Sequence, residues 1–209
     1  MLVVMETHYW IKGLVIGFSI AAPVGPIGML CIRRSLNQGT VTGLLTGLGA
    51  ATADACYGCV AGFGLTVITA ILIKQSGWLQ FAGGLFLCYL GLAAFKKQGT
   101  ERASAHESHG YLRAFGSAFL LTITNPMTIL SFAAIFAGAG IAAASNGYAA
   151  SMTLVAGVFF GSALWWAVLT GSLKLLRRKL TRKAHQWLNR LSGVILLLFG
   201  IWSVAGFFI

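Results

Sequence analysis

The chain has 209 residues, of which 57% are hydrophobic and only 9% charged, and its mean hydropathy is +0.83. So few polar side chains cannot cover a water-facing surface, which excludes a soluble globular domain, and the same arithmetic excludes disorder. The formal net charge of +11 comes from basic residues that fall between apolar runs, the signature of membrane topology rather than of nucleic-acid binding.

A membrane-spanning helix needs about 20 mostly apolar residues, and six such runs can be read along the chain. They cover Trp10 to Cys31, Val41 to about Gly62 with an extension toward Ile73, Trp78 to Phe95, Leu112 to Gly140, Gly147 to Leu173, and Leu188 to Phe208. The first run is expected to stay as a span rather than be cleaved as a signal, because Met1 to Tyr9 carries Glu6 and no Lys or Arg. Three connections hold 13 of the 15 basic residues: Arg33 and Arg34; Lys96, Lys97, Arg102 and Arg113; and the group from Lys174 to Arg190. The opposite side has only Lys12 and Lys74. The positive-inside rule puts the three connections in the cytoplasm and both termini outside. In the third, Leu176, Leu180 and Ala184 recur every four residues among basic residues, which predicts either a short amphipathic surface helix or a solvated loop.

The third and sixth runs resemble each other. Trp78-Leu79-Gln80 matches Trp187-Leu188-Asn189, and at the same offset Gly84 matches Gly193 and Gly91 matches Gly200. Pro23 in the first run corresponds to Pro126 in the fourth, and upstream Gly13 aligns with Gly116. The expected architecture is therefore all-α, with six transmembrane helices arranged as two three-helix repeats. Repeat 1 covers about 10–95 and repeat 2 about 112–209 of a single transporter domain, joined by a polar cytoplasmic linker over 96–111. Three is odd, so the second repeat crosses the membrane in the opposite sense, and matched interrupted helices in inverted repeats point to a site between the halves.

Proline removes a backbone hydrogen bond, and in lipid that break is tolerated only inside protein or beside a watery cavity. Pro23-Val24-Gly25-Pro26 and Asn125-Pro126 are the two candidate breaks, a plain kink being the alternative for each alone. Asp54 is the only acidic side chain within the spans. A carboxylate in the bilayer core is costly and normally faces a cavity or a partner. Proton uptake and release, contact with a cationic group, or a structural hydrogen bond with Thr52 or Tyr57 as companions are its candidate roles. Trp165-Trp166 could offer an aromatic face to an ammonium group. Gly39, Gly43, Gly47, Ala51 and Ala55 form a stripe suited to close helix packing, repeated by Gly157 and Gly161. No nucleophile–base pair and no phosphate loop can be assembled, so neither an enzyme nor an ATP-driven pump is expected. No cofactor or metal is expected either.

On these residues the chain resembles the LysE/RhtB family of amino acid exporters. The resemblance is carried by Ala22-Pro23-Val24-Gly25-Pro26, the glycine-rich second run from Gly47 to Asp54, Asn125-Pro126 and Trp165-Trp166, together with the length and the six runs. It implies secondary efflux of amino acids or related small zwitterions across a bacterial inner membrane, driven by the proton gradient. Pro23, Gly25, Pro26, Asp54, Asn125, Pro126, Trp165 and Trp166 are the expected substrate- or proton-binding residues. Members often carry Lys after Asn-Pro, where this chain has Met127, and the Gln-Asn pair of the basic amino acid exporters is absent. Lysine or arginine export is therefore not favoured. The alternatives within the superfamily are a thiol–disulfide carrier, whose members place cysteines beside the helix-breaking prolines where this chain has only Cys31 nearby, and a metal-ion exporter. The oligomeric state stays open, a homo-oligomer included.

Overall fold

The computed structural model describes residues 2–23, 25–63, 74–96, 108–138, 148–177 and 182–208. Among them every regular element is an α-helix, and we number these in chain order: α1 Leu2–Ala21, α2 Pro26–Gln38, α3 Thr40–Gly62, α4 Ser76–Lys96, α5 Ser108–Ile123, α6 Pro126–Gly138, α7 Tyr148–Arg177 and α8 Arg182–Ala205. The extension toward Ile73 and most of the expected linker, residues 97–107, lie outside the described residues.

Both proline-bearing runs are broken. The first divides into α1 and α2, whose segments Thr7–Ala21 and Pro26–Gln38 meet at 80°. The fourth divides into α5 and α6 around Thr124 and Asn125. In each case proline is the first residue of the second helix, where its missing N–H costs nothing and its fixed φ suits a helix start. One consequence corrects the sequence reading: Arg33 and Arg34 lie within α2, not in a loop. Helix α2 then turns into α3 at Gly39, whose φ of 105° is a conformation that favours glycine. Of the segment from Lys174 to Trp187, Lys174–Arg177 completes α7 and Arg182–Trp187 opens α8, while residues 178–181, with Leu180 of the expected amphipathic pattern, lie outside the described residues.

Among the described residues Tyr148–Leu176 is the one helix long and apolar enough to cross a bilayer alone, and the bent α1–α2 pair passes when taken together. Gly77–Ala93, Gly110–Ile123 and Arg190–Ala205 are apolar but shorter. Helix α3 is 23 residues long.

The distribution of side chains is the reverse of that in a water-soluble bundle. Met152, Phe160, Leu164 and Val168 are exposed along one face of α7, and Leu191, Val194, Leu198 and Ile201 along one face of α8. Buried positions include Thr46, Asp54, Thr122, Ser162, Thr170 and Ser192. Several of these hydroxyls donate to the carbonyl one turn back, as Thr46 does to Thr42, Thr122 to Ala118 and Thr170 to Trp166. These hydroxyls are thus satisfied within their own helices and the apolar faces are left for lipid.

The most extensive helix contacts are α1 with α7, α4 with α8, and α3 with both α7 and α5. Glycine makes the first two possible. A Cβ on Gly13 would collide with the carbonyl of Leu154, and one on Gly17 with that of Val158. Reciprocally, Gly157 and Gly161 meet the carbonyls of Trp10 and Leu14. Between α4 and α8, a Cβ on Gly84 would lie 3.0 Å from the Gly200 carbonyl, and one on Gly91 3.1 Å from that of Gly193.

Candidate functional site

The two helix breaks converge. A cavity of about 70 Å³ lies at their meeting point, lined by Pro23, Gly25 and Pro26 from the first break, Asn125 from the second, Asp54 from α3 and Trp166 from α7. That is room for a few waters. Ile27 and Gly28, in the first turn of α2, also line it, and no side chain caps that helix end at Gly25. The first-turn N–H groups of a helix lack partners within the helix and attract anions. A second, smaller cavity of about 20 Å³ shares Pro26, Ile27 and Asn125 and extends toward Gln80 and Ser203 on α4 and α8.

The second break is built as a helix start. Asn125 is the N-cap of α6: its Oδ1 accepts the Met127 N–H at 3.2 Å, and its carbonyl accepts the N–H groups of Thr128 and Ile129. With Met127 turned to the cap, the carbonyl of Ile123 loses its usual donor four residues on. The Tyr57 hydroxyl from α3 donates to it instead. Tyr57 is therefore engaged with the break and not with Asp54. Thr52, the other companion considered for the acid, donates to Leu48.

Asp54 is buried, with 3% of its surface exposed. Its Oδ2 accepts a hydrogen bond of 2.7 Å from Ser162 Oγ on α7. Ser162 in turn accepts the indole N–H of Trp166 at 3.2 Å. A cavity-lining tryptophan is thereby linked through one hydroxyl to the acid. The close approach of α3 and α7 comes from Gly47, where an added Cβ would strike the Trp166 side chain.

Six of the eight residues expected at the site, Pro23, Gly25, Pro26, Asp54, Asn125 and Trp166, line this one cavity. Pro126 follows Asn125 as the first residue of α6. Trp165 faces elsewhere, its ring edge-on to Phe18 of α1 at 5.4 Å, because adjacent helical residues point about 100° apart. Ser162 escaped the sequence reading, since an isolated serine in a small-residue helix has no pattern; its place one turn before Trp166 is the only available hint. No cysteine lines the cavity. Cys31 is buried and directs its thiol to the Gly43 carbonyl. Among the described residues no group of three His, Cys, Asp or Glu could hold a metal ion.

A family model described as LysE type translocator matches residues 18–205. A putative amino acid efflux protein, YcgF of Bacillus subtilis strain 168, is 30% identical over 200 residues, covering 93% of this chain and 94% of the relative. The uncharacterized membrane protein YahN of Escherichia coli strain K12 is 28% identical over 174 residues, 79% of this chain and 77% of its own. A threonine efflux protein of Salmonella typhimurium is 29% identical over 143 residues, 63% of this chain and 68% of the relative. No solved structure matches.

Proposed function

Because the chain belongs to the LysE type translocator family, a membrane family of transporters and not of enzymes, we propose that it exports amino acids or related small zwitterions from the cytoplasm by proton antiport. The observation that carries this reading is the single cavity in which both helix breaks, one buried carboxylate and a tryptophan meet. The efflux activities in the names of two relatives point the same way.

The two-repeat architecture is part of the proposal. It is supported by the glycine contacts between α4 and α8. The sequence repeat maps Gly84 onto Gly193 and Gly91 onto Gly200, and in space Gly84 meets Gly200 while Gly91 meets Gly193. A two-fold axis between antiparallel helices exchanges those two contacts. The pairing of α1 with α7 and of α5 with α3 obeys the same exchange. Under this reading both termini face outward and the basic connections face the cytoplasm.

The residues divide the work. The first-turn N–H groups of α2 take the solute carboxylate, as half-helix N-termini do in other transporters. Asp54 takes the ammonium, with the Trp166 ring beside it. A proton arriving from outside neutralises Asp54 and weakens its hold on the ammonium. The solute leaves, and the halves rock to reopen inward. Inverted vesicles with an imposed pH gradient and a panel of amino acids test this directly. Wild-type protein should move protons against at least one solute, and Asp54→Asn should insert normally yet lose coupled export. Undiminished export by that variant at several pH values would falsify the coupling role.

A further inference from the structure

Arg34 is a second buried charge, and the mechanism above does not use it. It lies on α2, two turns beyond the cavity, with 9% of its surface exposed. Its three partners are neutral oxygens: Nη1 donates to Thr46 Oγ1 at 3.2 Å and to the Ala114 carbonyl at 3.0 Å, and Nη2 donates to Ser117 Oγ at 2.8 Å. Asp54, the only acid in the described residues of α2 to α8, is bonded to Ser162 instead. Thr46 and Asp54 are eight residues apart on α3, about 12 Å at 1.5 Å per residue. A buried cation without a carboxylate is expensive, and in a membrane protein such a residue marks a solute path or a moving part.

Its partners lie on two other helices. Thr46 belongs to α3, but Ala114 and Ser117 belong to α5, so Arg34 ties the half-helix that follows the first break to the half-helix that precedes the second. The neighbouring Arg33, about 100° round the helix, ties α2 to the Leu90 carbonyl of α4 at 3.1 Å. An opening toward the basic connections that parts α2 from α5 would break the Arg34 bonds. Bonds from guanidinium to neutral oxygens are weaker than the two-pronged bonds it makes with a carboxylate. A solute carboxylate that reaches Arg34 can therefore displace them.

Building on the efflux reading, we propose that Arg34 is the inner receptor for the solute carboxylate, and that its bonds to α3 and α5 are a latch which that carboxylate releases. An α-amino acid holds its two charges only a few ångströms apart, so it cannot bridge Arg34 and Asp54 at once. The carboxylate binds Arg34 first and then passes along α2 to the N–H groups at its first turn, where the ammonium meets Asp54.

The test uses wild-type protein, Arg34→Gln and Arg34→Lys in inverted vesicles, with labelled threonine, leucine and alanine and the methyl ester of whichever is moved best. Arg34→Gln should raise KM for the amino acid tenfold or more while leaving KM for its ester within twofold. Arg34→Lys should fall between, because it keeps the charge and loses the fork. An Arg34→Gln KM within twofold of wild type overturns the proposal, as does an equal rise for acid and ester. If Arg34→Gln does not fold, the acid-to-ester comparison on Arg34→Lys decides on the same terms. Wild-type vesicles that move none of the three amino acids would sink the efflux reading and this inference with it; transport by wild type with an unmoved KM in the variant sinks the inference alone.

Discussion

At the scale of single residues, the site depends on hydrogen bonds that low-dielectric surroundings make expensive to lose. Among the described residues Ser162 gives the Asp54 carboxylate its one side-chain donor. Ser162→Ala removes a bond to a charged group worth about 1.5–3 kcal/mol, so coupled export should fall about tenfold or more while the protein still purifies as a monodisperse species. Flux assays on matched amounts of reconstituted protein check this. Tyr57 acts on the backbone instead. Tyr57→Phe leaves the Ile123 carbonyl without the donor that replaces the broken helix bond, a loss of about 1–3 kcal/mol. Thermal unfolding in detergent should show a midpoint lowered by a few degrees. The acid and the prolines were legible in the sequence because a carboxylate or a proline is anomalous in a bilayer-spanning helix wherever it lies. Ser162 and Tyr57 were not legible in these roles. Serine and tyrosine are ordinary in such helices, and their meaning comes from partners 108 and 66 residues away.

At the scale of helices, the decisive feature is the reciprocal glycine contact between α1 and α7. The sequence reading singled out Gly157 and Gly161 for packing, but Gly17 passed unnoticed, since one face of a glycine-xxx-glycine pair does not reveal its partner. Gly17→Val should force the helices apart and cost at least the 1–3 kcal/mol typical of overpacking, because the colliding atoms belong to the Val158 backbone and cannot rotate away. Gly116→Ala should be tolerated, since a Cβ there meets nothing within 4 Å. Comparing the two by yield of folded protein and unfolding midpoint separates close packing from a general intolerance of larger residues. The breaks were legible at this scale too, down to the Asn-Pro start of α6. The course of α2 after the break was not. Its arginines suit a cytoplasmic loop equally well by composition, and burial of Arg34 depends on Thr46, Ala114 and Ser117 converging from two other helices.

At the scale of the whole molecule, topology and chemistry can be tested together. In a cysteine-free background, single cysteines at Lys97 and Lys179 should react with a membrane-impermeant maleimide only from the cytoplasmic face, and one at Lys74 only from outside. Labelling of all three from one face would dismantle the two-repeat proposal. The background itself is informative: no cysteine lines the cavity, so removing Cys31, Cys56, Cys59 and Cys88 should leave export within about twofold of wild type, provided the buried Cys31 is replaced by a residue of similar volume. Loss of export with intact folding would favour the thiol–disulfide carrier.

The membrane class, the helical content, the positions of both breaks and the exceptional status of Asp54 were set by the chain read in order. Each follows from composition or local backbone chemistry: hydropathy decides which segments avoid water, and proline removes an N–H whatever surrounds it. The meeting of both breaks with Asp54 and Trp166 in one cavity, the bond from Ser162 to the acid, the turning of Trp165 toward Phe18 and the burial of Arg34 were decided only by the tertiary structure. Those features depend on how closely glycine lets distant helices approach, and a linear pattern carries no record of which helix face meets which.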